Sequence, residues 1–277
     1  MSLYQHTPVA RASEGLTHWY DMTGAPRYTI VGANGKERPT TLRDARKHGW
    51  CPSVTQIINC ADKPGLNRWK LDQMLHAALT LPRGSTEPEA EWISRVWKDS
   101  QETAKKAAER GTAIHAAIQG AYEGGAYEGE AYPAETYIHI AGAMKVIDGW
   151  LHSVWIPERF VWVPERSFSS PLGFGGKVDL SHSWAESDHP EAVIDFKTKE
   201  FSSASALKTW DEHAMQLAAY REGLAMPKAR AAIVYVSVTV PGLSRLIEIP
   251  EEELQRGWEC FKSLLSYWQA KNKYRPQ

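Results

Sequence analysis

Glu191-Ala192-Val193-Ile194-Asp195-Phe196-Lys197-Thr198 reads as a short buried strand. Val193, Ile194 and Phe196 supply apolar, β-favouring side chains, and Thr198 with the Ser202-Ser203 pair after Phe201 closes the run. An acid and a lysine sit two apart on it. Strand side chains alternate faces, so Asp195 and Lys197 share one face and Ile194 and Phe196 share the other. A carboxylate and an ammonium on a buried face are costly unless they pair with each other or hold a metal. A Gly-rich strand lies shortly upstream, Gly173-Phe174-Gly175-Gly176-Lys177-Val178-Asp179-Leu180, and it offers a second acid in Asp179.

Moving outward, the second half of the chain is β-rich. Arg159–Val163 reads as a strand followed by Pro164-Glu165-Arg166. Arg230–Val240 and Leu243–Ile249 read as a hairpin across Pro241-Gly242. Thr209–Ala225 reads as a helix carrying His213, Gln216, Tyr220 and Arg221. Pro250 followed by three glutamates opens a last helix running to about Asn272.

The first half is mostly helical. Tyr28–Val31 enters an Asn34-Gly35 turn, Thr41–Asp44 starts a short helix stopped at Gly49, and Ser53 with Gln56 makes a capping-box pattern. Leu66–Leu81 reads as a helix with an apolar face of Leu66, Trp69, Met74, Leu75 and Leu79, after a break at Pro64-Gly65. Glu89–Arg110 is a long helical pattern that Gly111 kinks or ends. Gly120–Tyr132 reads as a loop and Ala134–Trp155 as another helix. The expected fold class is α/β: a mixed sheet flanked by helices, with a largely helical N-terminal half.

Composition narrows the function classes. Hydrophobic and charged fractions of 43% and 23% fit a globular chain, and 277 residues suffice for a sizeable core. Net charge is −1, so any surface for nucleic acid has to be local. Twelve Trp point to a Trp-rich core or to stacking platforms for bases. Cys51, Cys60 and Cys260 form no CxxC pair, which implies a reducing compartment and excludes an iron–sulfur cluster built from this chain alone. No apolar run is long enough for a membrane span, and Met1–Ala12 does not read as a signal peptide; a cytoplasmic location is expected.

Four motifs in order, Gly111-Thr112-x-x-His115, Gly176-x-Val178-Asp179, Asp195-Phe196-Lys197-Thr198 and Gln216-Leu217-x-x-Tyr220, resemble the PD-(D/E)XK nuclease superfamily in its RecB-type exonuclease branch. Pro52-Ser53-Val54-Thr55 with Arg68-Trp69-Lys70 is similar to the N-terminal region of the mitochondrial genome maintenance exonuclease and related phage nucleases. The resemblance implies a restriction-endonuclease-like core over 111–277, a DNA-engaging region over 1–110, and one nuclease domain in all. It implies Asp179, Asp195, the Phe196 carbonyl and His115 as ligands of one or two Mg²⁺ or Mn²⁺ ions. Lys197 would orient or deprotonate the attacking water, and Gln216 and Tyr220 would contact the site or the DNA backbone. Glu165 is a possible additional acid. Ser53, Thr55, Arg68, Lys70 and Lys199 are candidate DNA contacts, and Lys177 faces phosphate or solvent. The implied activity is a metal-dependent deoxyribonuclease, an exonuclease on single-stranded DNA ends in recombination, repair or replication. The alternative is a non-catalytic DNA-end binder. One departure is Gln119, where the family often has Glu.

Overall fold

The computed structural model describes residues 18–124, 134–151, 162–182 and 191–276. In chain order the elements are β1 (Trp19–Tyr20), β2 (Thr29–Val31), β3 (Glu37–Pro39), α1 (Leu42–His48), β4 (Cys51–Pro52), α2 (Val54–Ile58), α3 (Pro64–Thr80), α4 (Glu89–Tyr122) and α5 (Ala134–Leu151). Then follow β5 (Trp162–Ser170), β6 (Phe174–His182), β7 (Ala192–Lys199), α6 (Asp211–Gly223), β8 (Arg230–Ser237), β9 (Ser244–Glu248) and α7 (Glu251–Asn272). This is the mixed α/β architecture that the sequence patterns imply.

One five-stranded sheet, ordered β5-β6-β7-β8-β9, forms the frame. Neighbours are antiparallel except β7 and β8, which run parallel from Ala192↔Arg230 to Lys199↔Ser237. Parallel neighbours need a crossover, and α6 supplies it. One face is covered by α2, α6 and α7, with Trp19, Phe174, Leu217, Ile233 and Phe261 in its core. The other is covered by α4 and α5, with Ile114, Ile118, Ile147, Ile194 and Phe196. β7 therefore has apolar side chains on both faces, which is why its sequence reads as a continuous apolar run.

Local signals explain several boundaries. Thr41 caps α1 through a capping box with Asp44, and Gly49 ends it with φ 74. Gly35, with φ 72, turns β2 back onto β3. Ser53 accepts from the Gln56 N–H at 3.1 Å and starts α2.

Elsewhere the structure corrects the expectation. Pro64-Gly65 is the first turn of α3 and not a break, since Pro is tolerated where its missing N–H would have no partner. The apolar face proposed for α3 is largely outside: Leu66, Trp69, Leu75 and Leu79 are exposed, Leu79 by 80%. Small residues decide the packing instead, with Ala77 buried in the helix pair that α3 makes with α4, where Val96 and Ser100 are buried. Gly111 neither kinks nor ends the long helix. α4 runs unbroken from Glu89 to Tyr122, across the boundary expected between 110 and 111 and three residues into the expected loop. One interior glycine costs a helix about 1 kcal/mol, which the remaining turns and the packing offset. Residues 125–132 of that loop, residues 152–155 of the expected helix and residues 159–161 lie outside the described residues.

Close helix approach sets where α6 sits. A Cβ on Gly257 of α7 would lie 2.6 Å from the Ala214 carbonyl carbon of α6 and 2.7 Å from its oxygen. Arg221 on α6 also pairs with Glu251 Oε2 at 2.8 Å. Gly257→Ala should therefore push α6 and α7 apart and cost about 1–3 kcal/mol. A thermal melt reads this as a lowered Tm; an unchanged Tm would mean that the two helices separate freely.

Candidate active site

The site begins where the sheet opens. The β6–β7 ladder pairs His182↔Ala192, Ser181↔Val193 and Leu180↔Ile194 and stops there. The next positions are Asp179 and Asp195. At this point a side chain replaces the ladder, and Asp179 Oδ2 accepts the Phe196 N–H at 2.9 Å. On the other side of Asp179, the β5–β6 ladder pairs Pro164↔Leu180 and Arg166↔Val178 and skips the rung between them. The residue opposite Asp179 there is Glu165, whose φ of 52 lies in the left-handed region. Alternation fails at the same level: Val178 packs in the α6–α7 core and Leu180, two residues on, in the α4–α5 core. Strained backbone of this kind costs about 1–3 kcal/mol and tends to persist at functional sites.

Asp195 is only 2% exposed. Lys197 Nζ stands 2.6 Å from its Oδ2 as an ion pair. Gln216 Nε2 donates to Asp195 Oδ1 at 2.9 Å, and Gln216 Oε1 accepts from Lys197 Nζ at 3.3 Å. The same Nε2 is 2.8 Å from the Tyr220 hydroxyl. One amide thus ties the acid, the lysine and the tyrosine together. Burial pushes the Asp195 carboxyl above its ordinary pKa; the Lys197 charge opposes that shift and Asp179 adds to it.

His115 reaches the same place from α4. A Cβ on Gly111 would be 2.7 Å from Thr198 Oγ1, so the bare glycine lets α4 lie close over β7. One turn on, His115 Nδ1 is 3.4 Å from Asp179 Oδ2 without a hydrogen bond, and its ring meets the Phe196 ring edge-on at 6.0 Å. Asp179, Asp195, Lys197, His115, Gln216 and Tyr220 are therefore one cluster.

The groups gathered here, two carboxylates and an imidazole, suit a divalent cation, and the buried His115 Nδ1 accepts no hydrogen bond. Among the described residues no three His, Cys, Asp or Glu side chains are already gathered around one point. Lys197 lies against the Asp195 oxygen that a cation would use.

The remaining candidates are more dispersed. Glu165 is ion-paired with Lys177 across the β5–β6 ladder. Lys199 is exposed at the end of β7, and Thr55, Arg68 and Lys70 are exposed on α2 and α3. Ser53 is buried, and its hydroxyl serves as the α2 cap. Gln119 bonds Glu123 at 2.8 Å.

The sequence offered no role for His213 or Tyr235, which lie behind Lys197. His213 Nδ1 accepts the Trp210 N–H at 3.2 Å and is 3.4 Å from the Tyr235 hydroxyl, which donates to the Lys208 carbonyl at 3.0 Å. Burial, then the charges of Lys197, Lys63 and Lys199, lower the His213 pKa from 6.5 to about 4. Burial, then Asp195 and Glu212, raise that of Tyr235 to about 12. The histidine three residues before Gln216 is the one signal that could have found this pair.

No protein-family model matches the chain, and no curated protein matches it. Solved structures similar to it include the following two. The crystal structure of SSO0001 is 15% identical with a TM-score of 0.26, covering 72% of this chain and 86% of that one. An alkaline exonuclease from Laribacter hongkongensis is 10% identical with a TM-score of 0.33, covering 75% of this chain and 95% of that one. Among the described residues no helix is long and apolar enough to cross a membrane.

The His213 shift has a measurable sign. Below pH 6.5 the unfolded chain takes up a proton that the folded chain refuses until about pH 4, so this group's contribution to stability falls with pH across that window. His213→Gln should flatten the decline in Tm between pH 7 and pH 4.5 relative to wild type. Parallel curves would mean that the ring protonates freely in the fold.

Proposed function

We propose that this chain is a Mg²⁺- or Mn²⁺-dependent deoxyribonuclease, an exonuclease acting on single-stranded DNA ends. The observation that carries the reading is the Asp179–Asp195–Lys197 set at the opening of the β6–β7 ladder, with Gln216 bridging Asp195 and Lys197. A structural ion pair explains Asp195 and Lys197 but leaves unexplained a second acid on the neighbouring strand and an imidazole 3.4 Å from it.

In this reading Asp179, Asp195, the Phe196 carbonyl and His115 hold one or two ions. An ion held there would supply Lewis-acid polarisation of the phosphoryl group and a more acidic water. Lys197 then has two tasks. Its ammonium leaves Asp195 for the phosphate, where it steadies the charge that develops in the transition state, and it orients the attacking water. Gln216 keeps both partners aimed through its two ends, and Tyr220 fixes the Gln216 amide. Glu165, across the ladder from Asp179, is a further acid on the same opening. Thr55, Arg68, Lys70 and Lys199, being exposed, are the members of the sequence-derived contact group that a strand can reach; Ser53 orders the backbone beneath them. The three free cysteines suit a reducing compartment.

End-labelled single- and double-stranded substrates, linear and circular, with Mg²⁺, Mn²⁺ or EDTA, test this reading. Wild type should shorten linear single strands with metal and spare circles. Asp195→Asn and Lys197→Ala should each lower the rate by about 10³-fold or more while oligonucleotide binding changes little. Full activity in either variant would place the chemistry elsewhere.

A further inference from the structure

Two rows of side chains leave the acid cluster in the same direction. On β7, Asp195, Lys197 and Lys199 are spaced two apart and share a face, and exposure rises from buried Asp195 to exposed Lys199. On α6, Tyr220, Gln216 and His213 share a face, and Trp210 stands at the head of that helix. Gln216 joins the rows at their inner end. Lys63 is the N-cap residue of α3 and follows α2, which packs against α6, and its charge joins those of Lys197 and Lys199 in acting on His213. Among the described residues Lys63 and Lys199 enter no ion pair.

Trp210 is the anomaly in this arrangement. It is 55% exposed, although an indole is among the largest apolar side chains and packing it inside would be favourable. Its backbone N–H is bonded to His213 Nδ1, which fixes the chain at the head of α6. That bond needs an imidazole nitrogen without a proton, and the burial and lysine charge around His213 keep it so. An exposed indole at the head of α6, at the end toward which Lys197 and Lys199 run on β7, with two lysines that enter no ion pair among the described residues, matches one ligand chemistry. It is a nucleotide, with an aromatic face to stack and a phosphate to neutralise.

We infer that Trp210, Lys63 and Lys199 form a nucleotide subsite next to the reacting phosphodiester, with Trp210 stacking one base of a single strand and the two lysines holding its flanking phosphates. This rests on the nuclease reading, and it deepens it by naming an unpaired base as the feature recognised. A paired base has both faces stacked within the duplex and cannot offer one to Trp210 unless it is pulled out.

The test is fluorescence anisotropy of the full chain with a labelled thymidine oligonucleotide about ten nucleotides long, in EDTA so that nothing is cleaved. Trp210→Ala should weaken binding about tenfold or more, and Trp210→Phe should stay within about threefold of wild type. On an abasic oligonucleotide of the same length, Trp210→Ala should bind as wild type does. Lys63→Gln and Lys199→Gln should each weaken both ligands and reduce the slope of log K against log salt by about 0.7. Melting curves establish that each variant is folded.

Unchanged thymidine binding by Trp210→Ala, or an equal loss on the abasic strand, would overturn the stacking role; unchanged salt slopes would overturn the lysine role. If wild type binds and cleaves while these variants bind normally, the subsite is wrong and the nuclease reading stands. If wild type neither binds nor cleaves, the nuclease reading falls and the subsite with it.

Discussion

Everything near the site depends on keeping the Asp195 carboxylate inside the protein. Taking such a group out of water carries a penalty of several kcal/mol, which its neighbours have to offset. Lys197 supplies charge against one carboxylate oxygen and the Gln216 amide supplies a hydrogen bond to the other. The carboxylate is thus held by one cation and one amide, and both belong to the cluster where the β6–β7 ladder ends. The surrounding architecture follows from the same constraint. β7 has to be central to bury Asp195, α6 has to cross back over it to bring Gln216, and α7 has to press close at Gly257 to hold α6 in place.

Much of this was legible in the sequence because it follows from period and residue type. Alternation along 191–198 separated Asp195 and Lys197 from Ile194 and Phe196, and the two apolar cores on opposite sides of β7 bear that out. The capping pairs at Thr41 and Ser53 marked helix starts, since each hydroxyl accepts a backbone N–H that would otherwise lack a partner. The motif residues from His115 to Tyr220 are gathered in space as well as in order.

What escaped was whatever depends on a partner strand or helix. The break in alternation at Asp179 cannot be read from β6 alone, because it requires the left-handed backbone of Glu165 on the strand beside it. The exposed leucines of α3 misled because a helix with apolar residues on several sides does not say which side is covered, and small residues facing α4 settled the matter. The role of Gly111 was invisible for a related reason. In sequence it looks like a helix breaker, and only the closeness of Thr198 shows that the missing side chain is needed for contact and not for a bend.

That unbroken helix has a mechanical meaning. At about 1.5 Å per residue, roughly 40 Å of continuous rod separates the start of α4 from His115. Near Gly111 the rod rests on Thr198, with one arm reaching out to the partly exposed pair with α3 and a shorter arm that carries the imidazole beside Asp179 and runs on to Tyr122. A helix that passes its glycine without a hinge does not absorb a push on the long arm; it tilts about the contact, as a lever does on its fulcrum. The distance between His115 and the carboxylates is therefore set in part by where α3 and the far end of α4 lie, many turns from any residue that touches the chemistry.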